Sequence, residues 1–271
     1  MSDQNIFAHT IIYNEKTRNS VPSGHIVLDN SAGIWELFET PAIAKTLIEK
    51  KFPENAWVGF FSPKFNEKTG LNLEKITQCQ SFKSASTEAF LFTSEFDEAV
   101  YWLNPWLQGD AMHPGLMKIS KILAQASGYR FNLDTRICNL STSVYSHYLF
   151  AKPIFWREWL RVYNIYLDLC LRNPKLMNFK TTHKGEVLPI HAFVMERVPS
   201  MILNHSKFKA SFSRQLYSEQ FSDKSVLGQL LDQIEFYKNH FKDSGNFAYL
   251  NDYRKTVKKF IRLQNPEQLS H

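Results

Sequence analysis

Three clusters of side chains in this sequence have the types and spacing for chemistry. The first is Glu95-Phe96-Asp97, with Glu98 beside it, directly after the apolar run Ala89–Thr93. Carboxylates two residues apart on an extended chain point the same way, so both can reach one divalent cation (Mn or Mg). Such a cation can screen a diphosphate as it leaves. The same three residues also suit a plain charged turn. The second cluster is Asn104-Pro105-Trp106-Leu107-Gln108-Gly109-Asp110, followed by His113-Pro114-Gly115. A Trp face stacks on a sugar ring, Gln and Asp hydrogen-bond hydroxyls, and Asp110 or His113 is a candidate base for an incoming hydroxyl. A helix–helix corner is the competing reading. The third is the strand-like run from His191 that ends in Glu196-Arg197. A buried charge needs a partner, so this is either an internal ion pair or a pair set near a diphosphate or an acceptor hydroxyl.

Familiar signatures are missing. There is no GxxxxGK[ST] and no GxGxxG, so neither a P-loop nor a dinucleotide fingerprint is present. GxSxG and HExxH are absent too, which argues against serine hydrolases and zinc peptidases. Cys79, Cys138 and Cys170 lie far apart with no CxxC, so they read as reduced, buried thiols rather than a zinc site.

The elements that must position these clusters alternate between strand and helix. Ile6–Tyr13 is a predicted first strand and Trp57–Phe61 a second, ended by Ser62-Pro63; Ala89–Thr93 is a third. Residues 38–51 form a predicted helix capped by Thr40 with Pro41 at its first position. Leu73–Phe82 is a predicted short helix, and the stretch from Tyr101 to Ala126 is helical with a break at His113-Pro114-Gly115. Strand-like pieces return at Thr135–Leu140 and near Tyr148–Phe150. Phe155–Leu171 repeats apolar residues at spacings of three and four, a core-facing helix. The alternation predicts an α/β fold with a largely parallel sheet, whose ligands bind at the carboxyl ends of the strands. The polar residues after the three strands, Asn14 to Thr17, Ser62 to Lys64 and Ser94 to Glu98, therefore carry most weight.

The composition agrees with a large soluble core. Of 271 residues, 44% are hydrophobic and 14% aromatic, including 22 Phe, which excludes disorder. No apolar run is long enough to cross a bilayer, and the apolar stretch near the N-terminus follows no Lys or Arg, so a cytoplasmic location is expected. The net charge is +6, and residues 205–271 supply +4 of it. Two amphipathic helices are predicted there, over 225–241 and 248–263, the second with Arg254, Lys255, Lys258, Lys259 and Arg262 opposite its apolar face. The chain thus divides into an α/β region, 1–204, and a basic helical extension, 205–271.

Phe7–Thr17, GFFSPKFNEKTGL at 59–71, YWLNPWLQGDAMHPGL at 101–116, YLFAKPIFWREWL at 148–160 and FVMERVPSMIL at 193–203 together resemble one bacterial family. It is the GT-A-like glycosyltransferases encoded with capsule and lipopolysaccharide biosynthesis enzymes. The resemblance implies a GT-A-like fold, a Rossmann-like mixed sheet flanked by helices, here with a helical C-terminal extension. It also implies transfer of a sugar from a nucleotide-diphosphate donor to a carbohydrate or lipid-linked glycan acceptor. On that reading Asn14, Lys16, Thr17, Lys64 and Arg197 hold the nucleotide, and Glu95 and Asp97 bind a metal or the donor sugar. Asp110, His113 and Glu196 compete as general base, and Trp106 and Trp156 are the aromatic candidates for the acceptor, with core packing the favoured reading of Trp156. Family enzymes usually carry DxD where this chain has Glu95-Phe96-Asp97, which leaves Lys16, Lys64 and Arg197 as the alternative to a metal. The basic helices would hold the enzyme at the anionic inner face of the cytoplasmic membrane. A non-catalytic scaffold and a basic nucleic-acid-binding protein are the alternatives; no nucleic acid is expected, because no binding module of that kind is present.

Overall fold

The structure is a computed structural model that describes residues 5–93, 96–205, 207–217 and 225–264. Its strands are β1 (Ile6–Ile12), β2 (Ile26–Asp29), β3 (Trp57–Phe61), β4 (Ala89–Leu91), β5 (Leu149–Ala151), β6 (Lys180–His183), β7 (Glu186–Pro189) and β8 (Ala210–Phe212). Six of them form one mixed sheet in the order β2-β1-β3-β5-β4-β8, while β6 and β7 pair as a separate hairpin. The pairings run β2, β1, β3, β4 and β8 in one direction and β5 alone in the other. The helices up to the hairpin are α1 (Glu15–Arg18), α2 (Thr40–Glu49), α3 (Phe65–Thr69), α4 (Leu73–Gln78), α5 (Gln80–Lys83), α6 (Phe96–Tyr101), α7 (Pro105–Met112), α8 (Leu116–Ala126), α9 (Pro153–Arg172) and α10 (Pro174–Met177). After it come α11 (His191–Met195), α12 (Val198–His205), α13 (Val226–Ser244) and α14 (Phe247–Gln264). The protein is therefore α/β, a mixed sheet flanked by helices with a helical C-terminal region.

Alternate strand residues feed two separate cores, as the two-residue period of a strand requires. Val58, Phe60, Leu91, Leu149 and Ala151 pack with Trp106, Leu116, Phe155, Trp156 and Trp159 of α7, α8 and α9. Their neighbours Trp57, Phe61, Phe90 and Phe150 pack on the other face with Phe65, Phe82 and Val100, and with Leu231, Ile234, Tyr253 and Phe260 from α13 and α14. Gly59 lies between these rings: a Cβ there would come within 2.7 Å of Phe61 and 2.8 Å of Phe150. The C-terminal helices thus close the second core, and β8, from the same segment, pairs with β4.

Several elements differ from expectation. The run from His191 is helix α11, not strand; its four apolar residues, Ala192 to Met195, without Gly or Pro fit either period. Thr135–Leu140 is not a strand but a loop pinned by Asn104, whose Nδ2 donates to the carbonyls of Leu133 (3.0 Å) and Arg136 (2.8 Å). The helix over 73–82 is two helices, because Cys79 is extended at ψ 123°. Thr40 does not cap α2; Glu39 occupies the cap, and the Thr40 hydroxyl donates to the Leu37 carbonyl at 2.7 Å. Cys138 and Cys170 are buried free thiols and Cys79 is half-buried. No helix among the described residues is long and apolar enough to cross a membrane.

Candidate functional site

The carboxyl ends of the five co-directional strands gather at one edge of the sheet, where β5 begins. A cavity of about 160 Å³ opens there, lined by Tyr13 after β1, Ser62 after β3, His147 and Tyr148 at the start of β5, Phe38 and Glu39 before α2, Lys68 of α3, and Phe193 and Glu196 around α11. Local structure explains each position. After β1, Asn14 and Thr17 form a capping box: the Thr17 amide donates to Asn14 Oδ1 (3.0 Å), and Thr17 Oγ1 accepts from the amides of Asn14 (3.0 Å) and Tyr13 (2.9 Å). This turns the chain off the sheet just beyond Tyr13. Phe38 sits at φ 51°, a left-handed backbone rare for a bulky residue, immediately before Glu39. Ser62 Oγ and Tyr148 Oη are hydrogen-bonded at 2.6 Å.

Glu196 is the electrostatic centre. Its Oε2 accepts from Arg197 Nη1 at 2.6 Å. Arg197 is buried, and Nη1 also donates to the Tyr145 carbonyl (2.9 Å) while Nη2 donates to Gln108 Oε1 (3.0 Å). Gln108 Nε2 in turn donates to Glu98 Oε2 at 2.7 Å. Burial raises the Glu196 carboxyl from its ordinary range to about 7; Arg197 and Lys68 pull it down and Glu39 pushes it up. Burial also raises Glu39, against the pull of Lys68 and a hydrogen bond from Tyr13. A carboxyl half-ionised near neutral pH is suited to accept a proton from a hydroxyl. His147 is buried beside Glu39, its Nδ1 3.9 Å from Glu39 Oε1, and burial lowers it to about 4, so it is neutral. Neither of its ring nitrogens has a hydrogen-bond partner of normal geometry among the described residues, nor does Arg197 Nε. Buried polar atoms left in this state mark a place where a polar ligand or water completes the bonding.

The structure brings one sequence-predicted base, Glu196, to the cavity, together with its neighbour Arg197. Asp110 lies elsewhere: its Oδ1 accepts from the amides of Gly115 (3.1 Å) and Met117 (2.9 Å), capping the start of α8. His113 is buried and stacked on Phe193 with centroids 3.6 Å apart, and burial lowers it to about 3. Asn14 and Thr17 bond each other, and Lys16 in α1 after β1 and Lys64 in the turn after β3 are both exposed. Asp97 begins α6, where its Oδ2 accepts from Gln264 Nε2 at 2.8 Å. Glu95 lies outside the described residues. Trp106 does not line the site but is core; Trp156 is core, its favoured reading, and its Nε1 donates to the Val58 carbonyl at 2.9 Å. Sequence reasoning missed Tyr13, Glu39, Lys68, His147 and Tyr148. For Lys68 a signal existed, since it stands one helical turn beyond Lys64 and so reaches the same side of α3. A wider hollow of about 300 Å³ at the opposite edge, by Lys50, Lys51, Phe52 and Arg157, holds no buried titratable group.

No family model, no curated protein and no solved structure matches this chain.

Proposed function

We propose that this protein is a glycosyltransferase of the GT-A type. It moves a sugar from a nucleotide-diphosphate donor to a hydroxyl of a bacterial surface glycan, with Glu196 as the general base. The observation that carries the reading is the buried Glu196 carboxyl, held by Arg197 at the carboxyl edge of the sheet with a proton affinity near neutrality. In the step proposed, the acceptor hydroxyl gives its proton to the Glu196 carboxylate and its oxygen bonds the anomeric carbon. The bond from that carbon to the diphosphate breaks, and its electron pair leaves on the nucleoside diphosphate. A direct displacement of this kind inverts the anomeric centre. Lys68 at the cavity, with Lys16 of α1 and Lys64 in the turn after β3, supplies positive charge for the leaving diphosphate. The ordered motifs that resemble the glycosyltransferase family support the same reading, since four of the five runs contribute residues to this cavity.

The test is thermal stabilisation by a panel of nucleoside diphosphates and nucleotide sugars, each with Mn²⁺ and with EDTA, followed by a transfer assay with the stabilising donor. A donor at a hundred times its Kd stabilises by about 2.7 kcal/mol, a melting shift of several degrees. The expected result is a shift with one nucleotide, kept in Glu196→Gln, with turnover lost in that variant. No shift with any donor, or unchanged turnover in Glu196→Gln, overturns the proposal. Loss of the shift in EDTA would add a divalent cation to the donor site, and a shift that survives EDTA would leave the diphosphate to the lysines.

A further inference from the structure

Helix α14 buries Leu250, Tyr253 and Phe260 against the core and turns a different surface outward. That surface carries Arg254, Lys255, Lys258, Lys259 and Arg262, all exposed, against the single carboxylate of Asp252. Asp252 pairs with Lys255 at 3.5 Å, and the other four cations have no ion pair among the described residues. Apolar side chains interrupt this basic field. Phe247 is 71% exposed, Ile261 40% and Leu263 48%. Phe247, Arg254, Lys258 and Ile261 follow at spacings of seven, four and three, which places them on one stripe of the helix. A solvated face has no use for exposed Phe and Ile at both ends of a row of cations. An interface with anionic lipid uses both, the cations for the headgroups and the apolar side chains for the acyl boundary.

The position of the helix is as informative as its composition. Gln264 at its C-terminal end donates to Asp97, and the Tyr253 hydroxyl donates to the Tyr101 carbonyl, so α14 is fastened to both ends of α6. Helix α6 starts at the carboxyl edge of β4, the same edge on which the Glu196 cavity opens. The C-terminal end of the basic stripe therefore lies on the side of the sheet to which the strands' carboxyl ends point.

We infer that the outer face of α14 docks the protein on an anionic membrane surface. Vesicle binding needs neither donor nor catalysis, so this inference stands or falls apart from the glycosyltransferase reading. The test is co-sedimentation of the full chain with vesicles of phosphatidylcholine containing 30 mol% phosphatidylglycerol, and with vesicles of phosphatidylcholine alone, at roughly physiological salt. Binding to the anionic vesicles only is expected. The variant Lys255→Gln, Lys258→Gln, Lys259→Gln and Arg262→Gln should bind on the order of several hundredfold more weakly, with an unchanged melting temperature because all four side chains are exposed. Phe247→Ser with Ile261→Ser should also weaken binding. Absence of binding to anionic vesicles, or equal binding by the four-fold variant, overturns the inference. So does tight binding to duplex DNA or RNA that needs the four cations and ignores Phe247 and Ile261; that result makes the face a nucleic-acid interface.

Discussion

Replacing Glu196 by Gln tests the electrostatic core of the site without any substrate. The folded protein holds the Glu196 proton up to about pH 7, whereas the unfolded chain releases it near 4.5. Between these values the folded state binds more protons, so its stability falls as the pH rises. Each pH unit in that window is worth about 1.4 kcal/mol, so full ionisation of Glu196 costs the folded state about 3 kcal/mol. Gln keeps the shape and can still accept from Arg197 Nη1, but it carries no charge. The variant should therefore match the wild type near pH 4, gain on it progressively between about pH 4.5 and 7, and keep the full gain above that. At pH 8 the gain in melting temperature, relative to pH 4, should be about 6 °C or more for a chain of this size. Matched thermal melts at the two pH values measure it. Turnover in the same variant should fall by about 10²- to 10⁴-fold, so the protein becomes more stable as it becomes inactive. A difference in melting temperature that does not change with pH would show that the Glu196 carboxyl titrates normally, and the argument for it as a base near neutrality would fail with it.

Two further substitutions separate structural from chemical roles. Asp110→Ala removes the acceptor for the amides of Gly115 and Met117 and should cost about 1 kcal/mol, as loss of a helix cap does. Turnover per folded molecule should stay within about threefold, and a hundredfold loss would return Asp110 to the role of base. Lys238 is fully buried in α13, and its Nζ donates to the carbonyls of Ala99 (3.1 Å), Val100 (2.9 Å) and Trp102 (2.9 Å) at the end of α6. Lys238→Met leaves these carbonyls unpaired and should cost about 3 kcal/mol or more, read as a lower urea midpoint. A midpoint equal to wild type would mean that the contact contributes nothing to stability.

The parts of the fold that the sequence carried were those whose signal is local and long. Trp57–Phe61 is a strand as expected, an aromatic and β-branched run interrupted only by Gly59 and stopped by Ser62-Pro63, and α9, α13 and α14 follow their three-and-four spacing. The strands β2, β6, β7 and β8 escaped because each has only three or four residues and half-exposed sides. For β8 the deciding interaction is its pairing with β4, far back in the chain. The site divides in the same way. Glu196 was legible because an acid beside an arginine at the end of an apolar run demands an explanation. Glu39, Lys68 and His147 were not, because each is an ordinary loop or helix residue until the sheet brings its carboxyl edge together.

The second and third sequence clusters meet through a residue that neither general-base argument chose. Gln108 donates to Glu98 at one end of its amide and accepts from Arg197 at the other. Those two bonds fix which way the amide points, since only the nitrogen can donate and only the oxygen can accept. Arg197 is thereby held with one nitrogen on Gln108 and the other on Glu196, where it is the largest influence drawing that carboxyl back down against burial. Without this counter-charge burial and Glu39 would raise Glu196 further still. The proton affinity of Glu196 is therefore set by two opposed forces, and the Asn104–Asp110 stretch contributes to it through Gln108, by holding the arginine, rather than through Asp110.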